Sequence, residues 1–237
     1  MNDNDPIQLS LGITLNDDCT FSNFYAAADE NTQALAALQK AIDGQGEKFL
    51  LIWGARGSGL SHLLQAVCHE AWDRKKRVQY LPLKDMIGFS GEDVCEGMEE
   101  SDIVCLDGVD QICGTKEWEQ ALFHLYNRIK DANKTLIISS HTSPPSLPIV
   151  LADLRSRVLG CVRYHVASLS DADKQVAMIM RAAARGLDLP GEVARYILSR
   201  ASRDTSVLFN YLQTLDEASL QHQRKLTIPF VKEVLRL

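Results

Sequence analysis

The sequence predicts an α/β sheet domain with a phosphate-binding loop after its first strand, followed by a separate helical domain. Three observations predict it. The apolar run Phe49-Leu50-Leu51-Ile52-Trp53 leads into Gly54-Ala55-Arg56-Gly57-Ser58-Gly59-Leu60-Ser61 and then into a helix-like segment over 62–73. That is the strand, glycine turn and helix of a P-loop, whose free N–H groups face an anion. Short apolar runs then alternate with helical periodicity as far as residue 166, and from Ser168 onward every segment reads helical.

Taken in order, residues 1–5 are polar and expected to be disordered. Gln8-Leu9-Ser10-Leu11 reads either as a frayed edge strand or as a linear docking motif in which leucines fill a pocket and the glutamine sets register. Phe21, Phe24 and Tyr25 precede a helical pattern over 31–42 and suit either core packing or contact with a base. After the loop, a strand is predicted over 78–81 and a short helix over 91–100. Ile103-Val104-Cys105-Leu106-Asp107 is a buried strand ending in a carboxylate, the arrangement that holds magnesium in P-loop proteins, although such an Asp also starts ordinary turns. The next position, where an acid would orient water, is Gly108, and Asp110 lies two further on. An amphipathic helix over 117–131 leads to a strand over 135–138 that ends in Ser139-Ser140-His141, small polar residues expected near a γ-phosphate. Pro144-Pro145 breaks the chain, 153–157 makes a short charged helix end, and 161–166 the last strand. Ser170 with Asp173 resembles a capping box, and helices are predicted over 174–185, 191–201, 207–221 and 229–237.

Gly54 and Gly59 stand at the G-x-x-x-x-G spacing, Gly57 frees the turn, and Ser61 sits where a hydroxyl ligates magnesium. The lysine position is Leu60, so the loop keeps its backbone cradle and loses its cation. Three glycines after a strand also make an ordinary tight turn, and the motif without its lysine does not exclude that.

The 237 residues can bury a substantial core. A net charge of -6 and a pI near 5.5 argue against a dedicated nucleic-acid surface. The six cysteines are scattered singly, without metal-ligand spacing, which suits free thiols in a reducing compartment. No apolar run approaches the ~20 residues of a membrane span and no signal peptide is evident, so a cytoplasmic location without membrane contact is expected.

With these residues in place, the chain resembles a DnaA-related AAA+ protein and is most similar to the Hda family, regulators that inactivate the replication initiator DnaA. The resemblance spans 8–237. It rests on Thr20-Phe21-Ser22-Asn23-Phe24, Gly57-Ser58-Gly59-Leu60-Ser61-His62-Leu63-Leu64, Leu122-Phe123-His124-Leu125-Tyr126-Asn127-Arg128-Ile129, Arg155-Ser156-Arg157 and, most specifically, Arg224-Lys225-Leu226-Thr227-Ile228-Pro229-Phe230-Val231-Lys232-Glu233. It implies an α/β AAA+ P-loop core with a five-stranded parallel sheet and a small all-helical C-terminal lid. The expected division is an N-terminal arm over 1–19, the AAA+ domain over 20–167 and the lid over 168–237. It implies ADP or another nucleoside diphosphate between sheet and lid, beside which Ser61 and Asp107, on the motif reading above, would hold magnesium. Phe24, Gly54, Arg56, Gly57, Ser58, Gly59, Leu60, Ser61, His62, Asp107, Ser140 and Ser206 are the expected nucleotide contacts, with Ser61 and Asp107 as the metal ligands. Ser206 takes the position where relatives carry a nucleotide-sensing arginine, and Arg203 lies one turn away. Gln8, Leu9, Ser10 and Leu11 resemble motifs that dock on the DNA sliding clamp, although Gly12-Ile13 departs from the commoner continuation. Arg157 falls where the family carries its arginine finger.

The implied partners are DnaA and the clamp, with DNA reached through the clamp; a homo-oligomer is also admitted. The resemblance ends where initiators begin a DNA-binding helix-turn-helix domain, in keeping with the acidic pI. Two functions remain at this level: a nucleotide-loaded regulator that lends Arg157 to the ATP of DnaA, or a helicase-loader-like ATPase that turns over its own nucleotide. Leu60 and Gly108 favour the first, because neither residue can hold charge or orient water.

Overall fold

The computed structural model describes residues 15–16, 18–201 and 205–237, with Ser206 described in its backbone alone. The expectations for residues 1–13, Gln8, Leu9, Ser10 and Leu11 among them, and for Arg203, fall outside the described residues.

A 3-10 turn, Phe21–Asn23, precedes α1 (Asp29–Asp43) and β1 (Phe49–Trp53). There follow α2 (Leu60–Asp73), β2 (Val78–Pro82), α3 (Leu83–Met86), α4 (Gly91–Cys95), β3 (Ile103–Asp107) and α5 (Lys116–Asp131). The sheet domain ends with β4 (Thr135–Ser140), α6 (Ala152–Leu159) and β5 (Val162–His165). Four helices make the lid: α7 (Asp171–Ala184), α8 (Gly191–Arg200), α9 (Thr205–His222) and α10 (Ile228–Leu235).

The five strands pair in parallel in the order β2-β3-β4-β1-β5. Their apolar residues alternate between two layers, as the two-residue period of a strand requires. Leu50, Ile52, Ile103, Cys105 and Ile137 face one layer, shared with apolar residues of α1 and α2. Leu51, Val104, Leu106, Leu136 and Ile138 face the other, with α3, α4, α5 and α6. The lid has an apolar core of its own, built from Met178, Val193, Ile197, Leu208, Leu212 and Phe230 among others.

Local signals set the helix ends. Gly44 closes α1 at φ 73°, its N–H donating to Ala41 O and Lys40 O. At the start of α7, Ser170 and Asp173 make both bonds of a capping box, a device whose loss costs about 1 kcal/mol. Thr227 caps α10 by accepting from Phe230 N–H. The one helix expected over 91–100 is instead α4 and a separate 3-10 turn, Met98–Glu100, because Gly97 takes φ 71° and interrupts the run. The one-turn α3 directly after Pro82 is not predicted from periodicity.

Candidate functional site

β1 and β4 lie side by side with Trp53 opposite Ser140, so the loop leaving β1 starts against the end of β4. Gly54 N–H donates to Ser140 O at 3.2 Å. A Cβ on Gly54 would stand 2.3 Å from Val166 O, and only glycine lets the chain pass there. At Gly59, φ is 98° and a Cβ would meet the Phe24 ring at 2.8 Å. Phe24 thus lies over the loop it was expected to serve.

The loop borders a cavity of about 370 Å³, within the usual range for small-molecule sites. Its walls hold Phe24, Arg56, Gly57, Ser58, Gly59, Leu60, Ser61 and His62 from the expected set. Asn23, His141, Arg181, Thr205 and Phe209 join them. Gly54, Asp107 and Ser140 are not on these walls, and the side chain of Ser206 lies outside the described atoms.

Leu60 is 1 % exposed and its side chain belongs to the apolar layer under α1 and α2. Where the motif has a charge, the chain therefore has about 2 kcal/mol of apolar burial. Ser58 is 4 % exposed and its Oγ has no hydrogen-bond partner among the described residues. A buried hydroxyl left unpaired costs about 1–3 kcal/mol, and this one stands in a loop built to face an anion. Asp107 accepts from Tyr80 Oη at 2.6 Å on one oxygen and from Ser139 Oγ at 2.6 Å on the other, while Ser139 Oγ accepts from Gly108 N–H at 2.8 Å. Ser61 stands on the cavity wall without it. Burial and the Asp107 charge push the Tyr80 hydroxyl far above its ordinary value, so it stays protonated and keeps donating. Ser140 turns its hydroxyl onto Thr142, donating to its O at 2.8 Å and accepting from its N–H at 3.0 Å. The next residue, His141, reaches the cavity instead, held by its N–H to Asp110 Oδ1 at 2.9 Å. Asp110 is thereby tied to the backbone and to Gln111.

The lid meets the loop directly: Thr205 Oγ1 at the start of α9 donates to Gly57 O at 2.8 Å. His62 Nε2 donates to Thr20 O at 2.7 Å, which leaves Nδ1 bare toward Arg181 Nη2. Burial first, and the neighbouring guanidinium second, pull the His62 imidazole down to about 4. Arg181 Nε donates to Asn23 O at 3.3 Å, and its guanidinium lies over the Phe209 ring at 3.7 Å. His141 is one of the three polar residues expected near a γ-phosphate at the end of this strand, although not one of the expected nucleotide contacts. Arg181 is not among the expected residues, and nothing local distinguishes it.

Arg157 lies in α6, away from the cavity. Its guanidinium rests over the Tyr126 ring of α5 at 5.7 Å. No carboxylate lies within ion-pair distance of it among the described residues, and Asp153 is not its partner. The start of α6 is pinned by Glu119, fully buried in α5, whose carboxylate accepts N–H groups of Gly114, Val150 and Leu151 at 2.6–3.1 Å. Three charge-assisted bonds of that kind fix the loop from which α6 departs, and the fourth, from Gly114, ties it to the loop ahead of α5.

Among the described residues no helix is long and apolar enough to cross a membrane, and no cluster of three or more His, Cys, Asp or Glu forms a metal site. In solved structures the same fold appears in domain III of the replication initiation protein DnaA from Thermotoga maritima. Identity there is 23 %, with 94 % of this chain and 98 % of that one covered at a TM-score of 0.78. AMPPCP-bound DnaA from Aquifex aeolicus matches at 24 % identity over 87 % of this chain and 67 % of that one, TM-score 0.71. The Thermotoga maritima RuvB Holliday junction branch migration motor matches at 12 % over 92 % and 71 %, TM-score 0.67. By sequence, residues 15–164 match the bacterial DnaA ATPase domain and residues 171–235 the Hda lid domain. The chain belongs to the DnaA-related AAA+ proteins of replication, as a member of the Hda family.

Proposed function

We propose that this protein holds ADP, or another nucleoside diphosphate, between sheet and lid, and regulates replication initiation instead of running an ATPase cycle of its own. Docked on the DNA sliding clamp through Gln8, Leu9, Ser10 and Leu11, it presents Arg157 to ATP bound by DnaA and stimulates its hydrolysis. DNA is reached through the clamp.

Arg157 carries this reading: a guanidinium with no carboxylate partner among the described residues, lying on an aromatic face and backed by a helix whose start is pinned by Glu119. A guanidinium fork contacts two phosphate oxygens at once and stays charged at any physiological pH. Such a group, supplied from a neighbour, is worth roughly a thousandfold or more in phosphoryl-transfer rate. Nucleotide binding is supported by the unpaired Ser58 hydroxyl in the loop and by the adenine nucleotide analogue held by Aquifex aeolicus DnaA. If magnesium accompanies the nucleotide, Ser61 is the ligand at hand. Asp107 can join only by sharing oxygens that already accept from Tyr80 and Ser139. With Leu60 in the core and Gly108 after the strand, the loop lacks the motif's lysine and the strand end its water-orienting acid, which weighs against a helicase-loader-like ATPase.

The test is ATP hydrolysis by DnaA in the presence of clamp loaded on DNA. Wild type should stimulate, Arg157→Ala should not, and Arg157→Lys should fail nearly as badly because a point charge cannot reproduce the fork. Stimulation by Arg157→Ala equal to wild type refutes the finger, and turnover of ~1 per second or faster by the protein alone refutes the regulator.

A further inference from the structure

Arg181 reaches from the first lid helix to the wall of the loop cavity, and none of its partners among the described residues carries negative charge. Nε donates to a backbone carbonyl, Nη2 meets the bare Nδ1 of His62, and the guanidinium face lies on Phe209. Other arginines are compensated: Arg185 by Asp18, Arg74 by Asp43 and Glu70, Arg128 by Glu99 and Arg224 by Glu233. No carboxylate among the described residues lies within 4.0 Å of Arg181. A cation withdrawn from water without a counter-charge is unfavourable, and proteins keep such groups where a ligand supplies the charge.

Two independent features point the same way. Ser58, whose Oγ is buried without a partner among the described residues, stands on a wall of the same cavity. The first turn of α2, which His62 belongs to, opens there as well, and its first N–H with a backbone acceptor is that of Leu63, to Gly59 O at 3.0 Å.

We propose that Arg181 is the phosphate-binding cation of this site, pairing from the lid with an oxygen of the bound nucleotide's phosphates and supplying the charge that Leu60 does not supply from the loop. This rests on the nucleotide-binding reading above. Arg56 also borders the cavity, but it is exposed, and a charge in water attracts an anion far more weakly than one partly withdrawn from it. Phosphate thus engages sheet domain and lid together, so charge on the ligand, beyond its base, draws the lid onto the loop.

The experiment measures calorimetric binding of ADP, inorganic pyrophosphate and adenosine to the full chain, as wild type, Arg181→Met and Arg181→Lys. Arg181→Met should weaken ADP and pyrophosphate tenfold or more and leave adenosine unchanged. Arg181→Lys should fall between, with stronger salt dependence. Two results overturn the proposal: Arg181→Met binding ADP as tightly as wild type, or ADP and adenosine weakening by the same factor, which would make Arg181 a brace between lid and sheet domain. A wild type that binds none of the three ligands removes the nucleotide reading, and the proposal with it.

Discussion

Lowering the pH from 7 to 5 should loosen the contact between the P-loop helix and the lid, through His62. The ring is 7 % exposed. Its Nε2 proton is used by Thr20 O, so a second proton must go on Nδ1, directly against the Arg181 guanidinium. Folding therefore depresses the imidazole to about 4, against about 6.5 in an unfolded chain. Between those values the unfolded state binds the extra proton and the folded state does not. Stability from this group is fully present above pH 6.5 and is lost as pH falls toward 4. The limit is about 3 kcal/mol, of which about 2 kcal/mol has gone by pH 5. The assay is urea unfolding of nucleotide-free protein at pH 7 and pH 5, for wild type and His62→Gln. The variant has no proton to gain and should lose about 2 kcal/mol less than wild type between the two conditions. Asp102, held below its ordinary range chiefly by Lys134, and Glu99, held down against its burial by its own backbone N–H and then by Arg128, titrate in both proteins and cancel in the comparison. Equal losses would refute the claim that the ring is held neutral by its surroundings.

Gly59→Ala forces a Cβ to 2.8 Å from the Phe24 ring at a φ of 98°. It should cost about 1 kcal/mol or more in unfolding free energy and weaken ADP binding at least tenfold; unchanged affinity would mean that the loop tolerates another path. Of the six cysteines only Cys19 and Cys113 are not buried, and Cys19 lines the cavity. Iodoacetamide followed by mass spectrometry should modify these two first, faster as pH rises because burial raises both thiols. Saturating ADP should protect Cys19 and leave Cys113 unaffected; equal Cys19 labelling with and without ADP would put the ligand elsewhere.

The sheet and the helical lid were legible because their signals are local: short continuous apolar strands such as Ile103–Asp107, an amphipathic α5, a capping box at Ser170. Where the reading of 91–100 failed, a glycine already in the sequence, Gly97, was the cause. The cavity was half legible. The loop announces itself by its glycines, but at the end of β4, buried on both faces, alternation cannot say whether Ser140 or His141 turns inward. That is decided by the bonds of Thr142 and Asp110. Arg181 looked like one more charge on a lid helix. Its role depends on contact with a residue 119 positions earlier in the chain, which no periodicity reports.

The lid's private apolar core bears on how the molecule comes apart. Residues of α7 to α10 bury Met178, Ile197, Leu212 and Phe230 against each other, while the contacts to the P-loop region recorded above are polar and few. Heat or denaturant should therefore open the joint before it melts either part, giving two cooperative units whose transitions merge when a ligand bridges them. Calorimetry would see this as a ratio of van't Hoff to measured enthalpy below one without ligand, rising toward one as the joint is occupied. Arg157 stands on the unit that carries the sheet, so opening of the lid leaves its seat on Tyr126 undisturbed.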